Sequence, residues 1–147
     1  MKNKSFTLIE IMIVLIIIGI LMGLIITGAF NAIKSAKESK AEAVIATLEN
    51  AVSMYEADMG EYPPSAAFAD NSFKAWLEDS SPLPWNGSYM HFKSEDLTSG
   101  SDPVLDPWNK AYKYKSPGSH NSGFIDIYSF GPDGADDSGT GDDITNW

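Results

Sequence analysis

Apolar and polar positions are spread unevenly along the chain. Residues 6–30 read FTLIEIMIVLIIIGILMGLIITGAF, with Glu10 as their one charge, and every position from Ile11 to Ile26 is apolar or glycine. About 20 such residues cross a ~30 Å hydrocarbon core as a helix, so this run predicts a transmembrane segment. Lys2 and Lys4 precede it, and positive residues stay on the cytoplasmic side. The rest of the chain is then expected across the membrane. A cleaved secretory signal is the plainer reading, with a small-residue cut after Ala29 and Thr27 at the other small position. The apolar region of such a signal usually spans only about 7–15 residues.

The helical pattern continues past Phe30. Ala41, Val44, Ile45, Leu48, Ala51, Val52 and Tyr55 recur at steps of three and four, while Lys37, Lys40, Glu42, Glu49 and Glu56 fall elsewhere. That spacing is one face of an α-helix. Proline is absent from Met1 to Glu61, so one helix is predicted over about residues 6–58, roughly 80 Å long at 1.5 Å per residue. Its first half is apolar all round, and its second half carries a single stripe that needs a small globular partner. Gly60 and Tyr62-Pro63-Pro64 end it, the glycine as a cap and the prolines as breakers.

Beyond the helix, residues 65–102 read as loop-rich, with a short helix at residues 73–78 (FKAWLE) and Trp76, Leu77, Trp85, Tyr89 and Phe92 as core anchors. Residues 110–116 (KAYKYKS) and 124–130 (FIDIYSF) alternate, and a turn at residues 119–123 joins them, which predicts an antiparallel pair. A Gly/Asp loop, residues 131–143, is closed by Ile144 and Trp147. The fold class is therefore α+β: a long N-terminal helix packed by its second half on a small C-terminal antiparallel sheet.

Composition narrows the function. The chain has 147 residues, the size of one domain. Ten lysines and no arginine face twenty acids, a formal net charge of -10, of which -9 lies after Met59. A body this acidic repels nucleic-acid phosphates and suits divalent cations. The absence of cysteine excludes disulfides, thiolate zinc sites and cysteine catalysis. The two histidines, His91 and His120, are far apart in sequence, against a multi-histidine metal site. Glu78-Asp79 and Glu95-Asp96 are merely adjacent, whereas acid–base catalysis needs a pocket, and no G-x-S-x-G context surrounds a serine. The chain reads as a non-enzyme.

Two constellations carry chemistry. Glu10 opens the apolar run, and a carboxylate buried there unpaired costs several kcal/mol. Either it snorkels to the interface or it meets a cation in the same layer. No lysine lies in the run, so a new α-amino group at Phe6, after loss of Met1–Ser5, is the cation that would serve, from a neighbouring copy. The second constellation is GPDGADDSGTGDD, residues 131–143, where Asp133, Asp136, Asp137, Asp142 and Asp143 crowd together. It is either a solvated acidic turn or a Ca²⁺ site, since calcium takes six to eight oxygens including backbone carbonyls. The spacing is not an EF-hand, because Ala135 stands where the next carboxylate belongs.

FTLIEIMIVLIIIGIL resembles the class III signal of type IV pilin-like proteins. In that family a prepilin peptidase cuts before the Phe and methylates the new amine, and the glutamate four residues on pairs with the amine of an adjoining subunit. Mapped here, these are Phe6 and Glu10. The residue before the cut, usually glycine, is Ser5. Leu105-Asp106-Pro107-Trp108, Tyr112, Tyr114, Ser116-Pro117-Gly118, residues 126–134 (DIYSFGPDG) and the ending Asp143-Ile144-Thr145-Asn146-Trp147 are similar to the major pseudopilins of type II secretion systems. Only residues 65–101, and Asn109-Lys110-Ala111 after the tryptophan, depart from them. The Asp-Pro-Trp itself reads as a turn plus a core tryptophan.

The resemblance implies a leader at residues 1–5, a transmembrane and filament-core helix at 6–30, an amphipathic half at 31–60 and a periplasmic head at 61–147. It implies one Ca²⁺, held by Asp133, Asp142, Asp143 and the Phe130 carbonyl, with Asp136 and Asp137 as weaker candidates. It further implies a homo-oligomeric helical filament, a single-pass inner-membrane location with the head in the periplasm, and partners in minor pseudopilins, an inner-membrane assembly platform and the peptidase. A type IV pilin would share the N-terminus and build a surface fibre, although many such pilins close the C-terminal region with a disulfide. A membrane-anchored periplasmic binding module that never polymerises is the other alternative.

Overall fold

The computed structural model describes residues 7–65, 73–78, 88–93, 97–98 and 101–147. Its first element, α1, is a 52-residue helix, Leu8–Met59. Thr7 is its N-cap. The Thr7 hydroxyl accepts the Glu10 amide at 3.3 Å, and the Glu10 carboxylate reaches back to accept the Thr7 amide at 2.8 Å. This is the reciprocal capping box. At the other end Gly60, at φ 79°, donates its amide to the Glu56 carbonyl at 2.7 Å. A side chain is strained at that φ, which is why glycine stands there.

The chain clusters into two compact units, residues 1–36 and 37–147. In the first, α1 leaves Leu8, Ile9 and all the large apolar side chains from Ile11 to Ile18 exposed, followed by Ile20, Leu21 and Met22. It is the one helix among the described residues long and apolar enough to cross a membrane.

In the second unit, α1 buries Ala41, Ile45, Leu48, Ala51, Val52 and Tyr55, the stripe that the sequence predicts. All but Ala41 join one cluster with Leu77, Leu97, Val104, Tyr112, Ile125 and Ile127. A short helix α2, Phe73–Leu77, supplies Leu77. Trp76 and Tyr89 meet the Tyr55 ring edge-on at 5.8 and 5.9 Å, and Tyr89 donates to Asp58 at 2.8 Å. Phe92 packs on the cluster's margin. Trp85, the remaining expected anchor, lies outside the described residues.

The strands are β1 (Leu97–Thr98), β2 (Ser101–Val104), β3 (Lys113–Lys115), β4 (Asp126–Ser129) and β5 (Ile144–Thr145). β1 and β2 pair antiparallel with an irregular register. The loop-rich expectation for residues 65–102 is corrected there, since Leu97–Thr98 and Ser101–Val104 form a strand pair. The predicted strands at 110–116 and 124–130 shorten to β3 and β4, antiparallel as expected. β5 joins them in the order β3-β4-β5.

Cross-strand partners share a face. Tyr114 opposite Ile127 and Ser129 opposite Ile144 face the core; Lys113 opposite Tyr128, and Thr145 beside it, face away. Asn146 extends the ladder with its side chain, accepting the Ile127 amide at 2.9 Å and donating to the Ile125 carbonyl at 3.1 Å.

Candidate functional site

Two places bring function-bearing groups together. The first is the start of α1. Ser5 and Phe6, the expected processing residues, lie outside the described residues. Glu10 is described, and its Oε2 accepts both the amide and the hydroxyl of Thr7, at 2.8 and 2.9 Å. From the sequence, the cation expected to meet this carboxylate comes from another copy. The structure supplies two donors from its own first turn. The signal was present as Thr7-x-x-Glu10, the capping-box spacing.

The second place is the acidic loop between β4 and β5. Gly131, Gly134, Gly139 and Gly141 take φ between 64° and 81°, and Ser138 takes 55°. Close approach as well as φ requires glycine at positions 131, 139 and 141, a Cβ on Gly139 striking the Trp147 ring. A Cβ on Gly131 would strike the Asp142 carbonyl, and one on Gly141 would strike the Asp137 carboxylate. The tight winding converges Asp133, Asp137 and Asp142, with one carboxylate oxygen from each within 4.8 Å of the others. Asp142 Oδ2 also accepts the Asp133 amide at 3.0 Å, and Asp133 Oδ1 the Ala135 amide at 2.7 Å.

The remaining acids of the loop are placed differently. Asp136 accepts the Tyr128 hydroxyl and the Ser138 amide, both at 3.1 Å. Burial, then the Asp136 carboxylate, push the Tyr128 phenol up to about 12. Asp143 Oδ2 accepts the Gly139 amide at 2.7 Å, while its Oδ1 is buried with no hydrogen-bond partner. Burial, helped by the Asp137 and Asp136 charges, raises the Asp143 carboxyl above its ordinary range. Phe130 stands at the loop's entry, half-buried. The converging group thus shares Asp133 and Asp142 with the set implied by resemblance, and adds Asp137.

Like charges this close repel one another, and an orphaned buried carboxylate oxygen costs desolvation energy. Both features fit a hard cation that wants many oxygens. Asp133, Asp137 and Asp142 are the residues spaced to hold it. Such an ion would supply structural cross-linking, with no reaction to perform.

Two further buried aspartates hold the loops around β3 and β4. Asp106 Oδ1 accepts the amides of Trp108 and Lys110 at 2.9 and 2.8 Å, and its Oδ2 takes the Ser129 hydroxyl at 2.6 Å. This is the turn expected of Asp-Pro-Trp, but its tryptophan is not in the core. Trp108 is half-buried, with the Lys37 ammonium 6.0 Å from its ring centroid. Asp126 is buried, which opposes its charge, yet it accepts the amides of His120, Asn121 and Ser119 at 3.0, 2.9 and 2.6 Å, and the sum holds its carboxyl below the ordinary range.

A capped helix with a bare apolar first half, and a small antiparallel head gathered on its second half, define a pilin-like subunit. Comparison with known proteins narrows the class. Residues 29–147 match the model of the family described as Type II secretion system (T2SS), protein G, and residues 1–26 match the Prokaryotic N-terminal methylation motif. The chain is 36% identical over 146 residues to the Type II secretion system core protein G of Escherichia coli K12, covering 99% of this chain and 92% of that one. It is 34% identical over 151 residues to the protein of that name from Vibrio cholerae, with 99% and 92% covered. Among solved structures it resembles the major pseudopilin from the type 2 secretion system of enterohaemorrhagic Escherichia coli, at TM-score 0.52 and 26% identity, over 80% of this chain and 87% of that one. The chain belongs to the protein G family of type II secretion systems, the major pseudopilins.

Proposed function

We propose that this chain is the major structural subunit of a periplasmic pseudopilus, polymerising through its N-terminal helix to drive protein export, and that it is not an enzyme. In this reading residues 1–5 are a leader removed before Phe6, whose new amine is methylated. Residues 6–30 anchor the subunit in the inner membrane and later form the filament core, residues 31–60 join anchor to head, and residues 61–147 stand in the periplasm. The observation that carries it is the apolar face of Leu8–Met22. It is exposed on every side within its own chain, and an uncovered apolar helix must meet lipid or other helices. Packing against copies of itself replaces lipid without changing the solvent the side chains need.

Glu10 sets the axial register by meeting the Phe6 amine of an adjoining copy. Calcium holds the acidic loop through Asp133 and Asp142, with Asp137 drawn in by the loop's winding, and with Asp143 and the Phe130 carbonyl as the ligands implied by resemblance. Minor pseudopilins, an inner-membrane assembly platform and a prepilin peptidase are the partners this role requires.

The test is the intact mass of the protein from its own cells, joined to cysteine crosslinking through residues 6–30. Loss of Met1–Ser5 with one added methyl, and crosslinked ladders of copies, is the expected result. An uncut chain with no ladder supports a simple anchored module instead. Loss of everything through about Ala29 overturns the filament.

A further inference from the structure

The outer face of the β3-β4-β5 sheet carries a depression of about 450 Å³, with Ser138 of the acidic loop on its margin. Its floor is β3 and β4, with Lys113, Lys115 and Tyr128 pointing into it; the 119–121 turn and the C-terminal residue form its walls. The His120 and Trp147 rings stack there at 4.2 Å and 6° apart from parallel, and Tyr128 meets Trp147 edge-on at 5.9 Å.

Two lysines stand on this face beside Tyr128, which also lies near the Asp126, Asp136 and Asp143 charges. Only five lysines follow Met59 against fourteen acids, and two of the five line this one depression. Among the described residues no carboxylate lies within ion-pair distance of either ammonium. The Lys113 ammonium sits 5.3 Å from the Phe130 ring centroid, and Lys115 donates to the Ser119 hydroxyl. Asp126, the acid of the lining, is buried beneath the turn with its oxygens already bonded to three backbone amides.

We propose that this depression is a binding site for an extended segment of a partner protein in which acidic and apolar side chains alternate. The two ammoniums meet the carboxylates, and the Tyr128, His120 and Trp147 rings receive the apolar side chains. A sugar fits less well, because the hydroxyls here, that of Ser138 aside, are committed. Tyr128 donates to Asp136, Tyr114 to the Pro63 carbonyl, Ser119 accepts from Lys115, and Ser65 both donates to and accepts from the Ser116 backbone. Ligands rich in hydroxyls need free partners, whereas carboxylates and apolar groups need charge and aromatic surface, which is what remains open. The proposal is independent of filament assembly.

The test uses the full chain in detergent micelles and a fluorescein-labelled peptide of alternating Asp and Phe, read by anisotropy. Saturable binding that weakens about tenfold in K113Q/K115Q, and falls as salt screens the charges, is the expected result. Both positions are exposed, and an unchanged melting temperature shows that the double variant is folded. Equal affinity in the double variant, absence of saturable binding, equal binding of a Lys/Phe peptide, or preference for an acidic oligosaccharide each overturns the proposal.

Discussion

The Glu10 carboxylate closes back on Thr7, and both bonds from that residue end on the same oxygen, Oε2. A cation arriving at Oε1 therefore need not disrupt the cap. Local capping and pairing with another copy are compatible roles of one side chain, and they can be separated. Glu10→Gln keeps an acceptor for the cap and loses the charge; Glu10→Ala loses both. Both variants are expected to insert in the membrane, and both to give little filament in a sedimentation assay. Filament yield at the normal level from Glu10→Gln would show that the cap, and not charge pairing, is the function of this residue.

The acidic loop predicts a calcium-dependent stability. An ion that binds only the folded head stabilises it by about 2.7 kcal/mol at a hundredfold excess over Kd. For a chain of this size that is a melting shift of roughly 5–10 °C. Excess chelator should lower the melting temperature of the micelle-bound chain by about this amount, and Asp142→Ala should abolish the response. A melting curve indifferent to chelator argues for a solvated acidic turn.

Asp126 predicts a response to acid. Its folded carboxyl titrates below the ordinary value of 3.8. The stability it contributes is therefore fully present above the unfolded value, and is lost as pH falls below it toward the folded one. Asp126→Asn keeps one acceptor oxygen for three amides and should cost about 1–3 kcal/mol near neutrality. The variant should also show a shallower fall in melting temperature with acid below about pH 4. An identical acid profile in the two proteins would mean that other carboxylates govern it.

Apolar residues of the same helix should answer differently to truncation. Leu48 is fully buried, and Leu48→Ala should cost about 2–5 kcal/mol of head stability. Ile13, half-exposed in the first unit, should leave the melting of the micelle-bound chain unchanged as Ile13→Ala and show its effect only in assembly. A large melting loss from Ile13→Ala would place it in a folded core.

Long-range features were legible in the sequence where periodicity lasts for many turns. The stripe from Ala41 to Tyr55 and the strand pair around Tyr114 and Ile127 are examples. β5 escaped because two residues cannot display alternation, and its pairing is completed by the side chain of Asn146. β2 escaped because Asp102-Pro103 inside it carries a turn signature. In the acidic loop, composition left a solvated turn and a cation site both open, and only the family resemblance favoured the cation. Which aspartates converge depends on the positive-φ winding at Gly131, Gly139 and Gly141, a property of three-dimensional path and not of spacing. The Thr7–Glu10 cap is legible as a motif, the Thr-x-x-Glu spacing of a capping box.

The Trp147 ring lies so close to Gly139 that any side chain there would collide with it, while the ring's face is stacked on His120. One aromatic plate is thus shared between the acidic loop and the outer face of the sheet. Whatever stiffens the loop also stiffens a wall of the depression beside Lys113 and Lys115. By the reciprocity of linked equilibria, an occupant of that wall must steady the loop in return. An ion in the loop and an occupant of the depression would thus act on one side chain, Trp147.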